Sequence, residues 1–221
     1  MKVNEIFGGP NVVQGEGPFA GRPATFIRLW GCVAPYCDFC DTKYAWTNEK
    51  EESKEMSIEQ IVEEVEKFGK NKLVVITGGE PYAQDDIYML CRILKRHQFK
   101  IQIETSGKAP IDADKAIEDT VCIVMSPKQY KGKFVINEQS ILMGNYYKFV
   151  VESEEEVKNV IEFLKESFPY ATSQNVYLMA KGETREKQLN LMPKLFEWCN
   201  KYGFTYSPRL HVLAFNVKRG V

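Results

Sequence analysis

Two kinds of hydrophobic pattern alternate along this chain. Short apolar runs read as strands: PATFIRLWG over 23–31, KLVVIT over 72–77, FKIQIET over 99–105, TVCIVMS over 120–126, YYKFVV over 146–151 and NVYLMA over 175–180. KLVVIT is β-branched and unalternating, as in a strand buried on both faces. Between the runs, apolar residues recur at helical spacing. Ser57 opens one helix, with Gln60 completing a capping box and Ile58, Ile61, Val62, Val65 and Phe68 on one face. A second helix spans about 87–97. Ser153 caps a third, with Glu156 as its box partner, and a fourth runs from about Arg185 to Tyr202, where Gly203 stops it. SPRLHVLAF over 207–215 reads as a last strand, and TNEKEESKE over 47–55 as a solvated loop. Strand–helix alternation predicts parallel strands with crossover helices. The expected fold is α/β, an open partial parallel barrel of about six strands with few helices, in a single domain over 1–221. A complete eight-fold barrel typically needs about 250 residues. In such a fold, functional residues gather at the carboxyl ends of the strands.

Composition narrows the function classes. The chain has 221 residues, 44% hydrophobic and 27% charged, with a net charge of −1. A balanced charge gives no electrostatic footprint for nucleic acid or an anionic membrane. No apolar run approaches the roughly 20 residues of a membrane span. The first twenty residues lack an apolar signal core and carry Glu5 and Glu16, so a cytoplasmic protein is expected.

Three of the six cysteines, Cys32, Cys37 and Cys40, crowd into GCVAPYCDFCDT just after the first predicted strand. In an intracellular setting close cysteines are metal ligands more often than disulfides. A closed structural zinc site takes four ligands. Three thiolates with an open position instead suit a metal centre that acts on something else, such as a 4Fe–4S cluster with one free iron. The plain alternative is core cysteine, and Cys91, Cys122 and Cys199, scattered singly in helix- and strand-like runs, fit it.

The strand ends carry polar and glycine-rich pieces. After KLVVIT come Gly78, Gly79, Glu80 and Pro81; paired glycines let a backbone edge approach a ligand, and Glu80 offers an acceptor for an ammonium. FKIQIET ends in Glu104, placed like the acidic residues that accept from ribose hydroxyls. TVCIVM ends in Ser126, Pro127 and Lys128, and NVYLMA (Met179, Ala180) in Lys181 and Gly182. Each is weak alone, and a plain turn explains GGEP equally well.

The ordered set, a three-cysteine loop, then GGEP, a carboxylate and SPK at successive strand ends, resembles the radical S-adenosylmethionine superfamily. Four residues separate Cys32 from Cys37, where that family usually has three; the next interval keeps two. EIF over 5–7, VQGEG over 13–17, GRPATFIRLWGC over 21–32, DFCDTKYAW over 38–46 and RLHVLAFNVKRGV at the end resemble the branch of the superfamily that makes 7-carboxy-7-deazaguanine. Extra residues at 8–12, before VQGEG, depart from it.

The resemblance implies a radical S-adenosylmethionine core and a lyase. It would convert 6-carboxy-5,6,7,8-tetrahydropterin to 7-carboxy-7-deazaguanine with loss of ammonia, on the way to queuosine-type deazapurines. Cys32, Cys37 and Cys40 would hold the 4Fe–4S cluster. Phe39, Cys40, Asp41, Gly79, Glu80, Glu104, Ser126, Pro127, Lys128, Met179, Ala180, Lys181 and Gly182 would hold S-adenosylmethionine. Thr42 would ligate Mg²⁺, for which a hydroxyl is a suitable hard donor. Substrate would meet Val13, Gln14, Gly15 and Glu16 in a flexible polar loop, and Thr77. Arg28, four residues before Cys32, has a fork suited to the pterin carboxylate. His211 and the Val221 carboxylate would complete the pocket, though a histidine in a strand is as often a core residue. The partners implied are a flavodoxin- or ferredoxin-like electron donor and a second copy of the chain, with no nucleic acid and no membrane. Competing readings are an activase that makes glycyl radicals on a partner protein, a zinc-binding interaction module and a tRNA-binding factor.

Overall fold

The computed structural model describes residues 1–47, 53–69, 73–118, 121–167 and 175–221. Its strands are β1 (Lys2–Phe7), β2 (Ala24–Leu29), β3 (Lys54–Glu55), β4 (Leu73–Gly78), β5 (Lys100–Thr105), β6 (Cys122–Met125), β7 (Lys128–Tyr130), β8 (Lys133–Val135), β9 (Tyr146–Val151), β10 (Val176–Ala180) and β11 (Thr205–Ser207). Its α-helices are α1 (Tyr44–Thr47), α2 (Ile58–Glu66), α3 (Ile87–Arg96), α4 (Ala113–Glu118), α5 (Glu154–Ser167), α6 (Arg185–Tyr202) and α7 (Leu210–Phe215).

Nine strands form one sheet in the order β11-β10-β9-β6-β5-β4-β2-β1-β3. All pairs from β2 to β11 are parallel, and β1 and β3 close one edge antiparallel. The six expected strands lie consecutively at the centre. β7 and β8 form a separate hairpin.

The register divides the sheet into two unlike faces. Ile27, Leu29, Val74, Ile76, Ile101, Ile103, Ile123, Met125, Phe149, Val151 and Leu178 belong to the main core, together with Ile61, Val65, Leu90, Leu94, Val157 and Leu195 from the helices. The alternate positions on the other face include Glu5, Phe26, Arg28, Thr77, Gln102, Glu104, Lys148 and Met179, beside the buried Leu73, Val75 and Val124. β4 is buried on both faces over 73–76, as its unalternating run predicts, with Ala24, Leu73 and Val75 forming a small second cluster, whereas its neighbours carry polar side chains on that second face. One face builds the core and the other carries charge.

Helix α2 has the expected capping box: Ser57 accepts from the Gln60 amide, and Gln60 returns a bond to the Ser57 amide. Replacing Ser57 by alanine is expected to cost about 1 kcal/mol of stability, read by urea unfolding. Gly203 ends α6 at φ 75°, as its position predicts.

Three expectations need correction. SPRLHVLAF is not a strand: only Ser207 ends β11, and Leu210–Phe215 forms α7. A six-residue apolar run fits either period, and tertiary packing decides it. The segment read as a solvated loop contributes Lys54–Glu55 to the sheet edge, and its residues 48–52 lie outside those described. The N-terminal strand β1 was not expected as a strand at all.

Candidate active site

The polar face of the sheet floors a cleft of about 1060 Å³ at the carboxyl ends of the strands. Cys32, Cys37 and Cys40 all border it, half-buried and free of disulfides. Burial pushes the Cys32 and Cys37 thiols up, opposed by Lys108 at the first and by Lys128 and Lys108 at the second. The other cysteines lie elsewhere: Cys91 on α3 and Cys199 on α6 are buried, and Cys122 is half-buried on β6. Burial pushes Cys122 up to about 12 and Cys199 to about 11, so both remain thiols. Among the described residues no three His, Cys, Asp or Glu side chains meet closely enough to hold a single metal ion. A cubane cluster places different demands on its ligands, because its irons are held by separate thiolates. Three thiols on one cleft wall suit that donor set.

The cysteine loop is anchored from below. The Gly79 amide bonds Leu29 O and the Glu80 amide bonds Gly31 O, joining the ends of β4 and β2. A Cβ on Gly79 would stand 1.6 Å from Gly31 O, and one on Gly78, at φ 127°, 2.1 Å from Leu29 O. The paired glycines thus serve the approach of two backbones. Gly79→Ala is expected to lower stability by about 3 kcal/mol or more and to loosen the cysteine loop, checked by thermal melting and iron content.

Glu80 also differs from expectation. Its carboxylate is fully buried and accepts from the Thr105 hydroxyl (2.6 Å), the Ser106 amide (2.9 Å) and the Ser106 hydroxyl (2.5 Å). It ties the end of β4 to the end of β5 and does not border the cleft. Neither does buried Pro127. Gly15 lies under the His211 ring, where a Cβ would meet Nδ1 at 2.2 Å.

The segment 13–16 is pinned, unlike the flexible loop expected. The Gln14 amide bonds Arg22 O, Gly21 returns a bond to Gln14 O, and Val13 pairs with Pro23. The Gln14 side chain reaches Glu104 at 3.3 Å. Glu16 meets Lys148 Nζ at 2.6 Å and Arg209 Nε at 2.9 Å. Lys148 also meets Glu104 at 2.8 Å, and Arg209 meets Asp41, the neighbour of Cys40. An alternating ladder results: Asp41, Arg209, Glu16, Lys148, Glu104. Burial alone would raise the Glu16 carboxyl, but Lys148 and Arg209 hold it well below the usual carboxylate range. Burial would lower the two cations, but Glu104 and Glu16 raise Lys148, and Glu16 and Asp41 raise Arg209. Glu16, Lys148 and Arg209 are therefore charged at neutral pH.

Other expected residues also border the cleft. Arg28 and Thr77 are register partners on β2 and β4. Arg28 Nε donates to Glu5 at 2.7 Å. Ser126 donates to Lys148 O, and Lys128 donates to Ser126. Burial first, then Lys148, depresses the Lys128 ammonium. Met179 and Ala180 end β10; Lys181 bonds Glu152 and stands 5.3 Å over the Phe39 ring; Gly182 O accepts from Arg209 at 2.9 Å. Thr42 Oγ1 lies 3.6 Å from Cys40 Sγ. His211 sits on α7, and burial lowers its pKa. Val221 lies on the cleft rim, near Arg219, whose guanidinium stacks 3.7 Å over the Tyr44 ring.

Sequence reasoning missed Lys148, Arg209 and Lys108. The first had a signal: a lysine inside the apolar run YYKFVV needs a buried partner.

An open parallel sheet with three thiols and a charged floor at its carboxyl end defines a class. The Radical SAM superfamily profile matches residues 31–192. Curated relatives named "7-carboxy-7-deazaguanine synthase" include one from Hyperthermus butylicus, 32% identical over 97% of this chain and 92% of its own. One from Escherichia coli K12 is 33% identical over 73% of this chain and 77% of its own. The crystal structure of QueE from Escherichia coli superposes with a TM-score of 0.78 at 26% identity, covering 95% of this chain and 94% of that one. Streptococcus suis SuiB, at 15% identity and TM-score 0.52 over 77% of this chain and 47% of its own, shares the fold alone. The chain belongs to the radical S-adenosylmethionine superfamily and, within it, to the family of 7-carboxy-7-deazaguanine synthases. Superfamily membership implies a 4Fe–4S cluster and S-adenosylmethionine as cofactors.

Proposed function

We propose that this chain, acting as a single domain, is a lyase that converts 6-carboxy-5,6,7,8-tetrahydropterin to 7-carboxy-7-deazaguanine with loss of ammonia. The observation that carries the reading is the meeting, in one cleft, of the three cysteines with Val13, Gln14, Glu16, Arg28 and Thr77. The bound cofactors supply one-electron chemistry that removes a hydrogen atom from an unactivated carbon.

The chain's own residues bind and orient. Cys32, Cys37 and Cys40 would hold the cluster, three thiolates leaving a position for the second cofactor. The backbone of Phe39–Asp41, Gly79, and the side chains of Glu104, Ser126 and Lys128 line the place for S-adenosylmethionine, with the Met179–Gly182 turn opposite. Arg28, with Nε already held by Glu5, turns its remaining donors to the substrate carboxylate. The Gln14–Glu16 segment, held rigid by Lys148 and Arg209, and the Thr77 hydroxyl meet the pterin ring. His211 stays neutral against that ring, since burial lowers its pKa. Thr42 supplies a hard oxygen for Mg²⁺.

The balanced charge of −1 is in keeping with a small-molecule substrate, not nucleic acid. No helix among the described residues is long and apolar enough to cross a membrane. The same reading assigns a cytoplasmic homodimer reduced by a flavodoxin- or ferredoxin-like donor. The shared name of the relatives favours pterin chemistry over a glycyl-radical activase.

The test is anaerobic incubation of cluster-loaded protein with carboxytetrahydropterin, S-adenosylmethionine, Mg²⁺ and a reductant, followed by mass analysis. The expected product is 7-carboxy-7-deazaguanine; loaded protein that leaves the pterin intact overturns the reading. Thr42→Ala is expected to keep its iron, slow turnover by about tenfold and lose its dependence on Mg²⁺. An unchanged Mg²⁺ titration removes Thr42 from that role.

A further inference from the structure

Lys108 borders the cleft and has no role in the function proposed above, yet it is bound to the cysteine loop. Its Nζ donates to Val33 O at 2.7 Å and to Pro35 O at 2.8 Å. Both carbonyls belong to the four residues that separate Cys32 from Cys37. The Cys32 thiol points to the same Val33 oxygen, at 3.9 Å. Of the other two residues, Tyr36 stacks on Trp46 with ring centroids 4.3 Å apart, and Ala34 is exposed. The interval therefore has a definite shape fixed by one ammonium and one ring stack.

The lysine itself sits on a rigid base. Gly107, at φ 72°, follows Ser106, and its amide bonds the Thr105 hydroxyl. Thr105 and Ser106 are both bound by the buried Glu80 carboxylate. A Cβ on Gly107 would stand 2.9 Å from Met125 Sδ, and the positive φ also favours glycine there. Glu80, the β5 turn and Lys108 form one connected support running from the core to the loop. A charged donor gripping two carbonyls holds them more firmly than neutral hydrogen bonds would. The second interval, between Cys37 and Cys40, is closed by its own turn, the Cys40 amide bonding Cys37 O. The longer interval has no such internal bond among those described, and Lys108 takes its place.

We propose that Lys108 is a positioning residue for the iron–sulfur cluster: by holding the carbonyls of Val33 and Pro35 it sets the separation at which Cys32 and Cys37 present their sulfurs. The inference rests on the reading of those cysteines as cluster ligands.

The experiment compares wild type, Lys108→Met and Lys108→Arg, all reconstituted anaerobically with iron and sulfide. Methionine keeps most of the stem and removes the donor; arginine keeps the charge and offers a fork of donors to the two oxygens. Each protein is scored for iron and sulfide per chain, for the half-time of cluster bleaching by a chelator, and for the melting temperature of its cluster-free form. Lys108→Met is expected to bleach about 10- to 100-fold faster than wild type. Its cluster-free form is expected to melt as wild type does, and Lys108→Arg to recover most of the retention. A Lys108→Met cluster as durable as the wild-type one overturns the inference alone. So does a cluster-free Lys108→Met that already unfolds at a clearly lower temperature, because the lysine then props the fold in general. Failure of arginine to restore retention overturns it as well. Wild-type protein that takes up no cluster overturns this inference together with the function proposed above.

Discussion

Replacing Lys148 by methionine is expected to destabilise the protein by about 3–5 kcal/mol. Lys148 is 4% exposed on β9 and bonds two carboxylates, Glu16 and Glu104. Methionine fills the space and leaves both acids inside the protein with less compensation. Glu16 keeps Arg209, whereas the hydrogen bonds left to Glu104 among the described residues come from the Gln14 and Gln102 amides, with Lys128 as a more distant cation. For a chain of this size each kcal/mol moves the melting temperature by about 2–4 °C, so a fall of roughly 6–20 °C follows. The pH dependence has a definite sign. Glu16 is held below its ordinary pKa of 4.5, so its contribution is fully present above that value and lost as the pH falls. Lys148 is raised above its ordinary 10.5, so its contribution is present below that value and lost as the pH rises. The gap between wild type and Lys148→Met should be widest between these limits and narrow toward acid. Melting curves from about pH 2 to 8 measure it. A gap below about 1 kcal/mol at neutral pH would mean the ladder is no more than a surface network.

Removal of any one of the three loop thiols is the second large effect. Cys37→Ala is expected to reduce cluster iron to background and product below detection. Its folding stability should stay within about 0.5 kcal/mol of wild type, because Cys37 is a half-exposed loop residue. Cys91→Ala is the contrasting case. That residue is 2% exposed in the core, so its loss should cost about 1–3 kcal/mol and leave the cluster untouched. Iron and sulfide analysis, the absorbance of the reduced and oxidised protein, and urea unfolding separate the two. An iron-loaded Cys37→Ala protein would remove this cysteine from the ligand set.

The centre of the sheet was legible because its strands are dense in Val, Ile and Leu and their alternate residues fill one continuous core. The cleft was legible for a related reason: parallel strands point their carboxyl ends the same way, so motifs distant in sequence converge. What could not be read was direction and partnership. A glutamate at a strand end can face the ligand or the core, and Glu80 takes the core because Thr105 and Ser106 receive it. Gly78 and Gly79 border the cleft as read, and they also admit the neighbouring strand end, whose Leu29 and Gly31 oxygens lie where a Cβ would stand. Lys148 pairs with acids 132 and 44 residues away, separations that no local pattern encodes. Leu210–Phe215 became a helix where its composition also allowed a strand; the helix begins where the Leu210 amide bonds Gly15 O.

The ladder from Asp41 to Glu104 bears on how this protein responds to heat. Hydration of ions becomes less favourable as water warms, so the penalty for keeping the sheltered members of the ladder, Arg209, Glu16, Lys148 and Glu104, away from solvent shrinks with rising temperature. Packing alone offers no such gain. The floor of the cleft should therefore be among the last parts to loosen on warming, and the cysteine loop, joined to it through Asp41 and Arg209, would keep its geometry close to the unfolding transition.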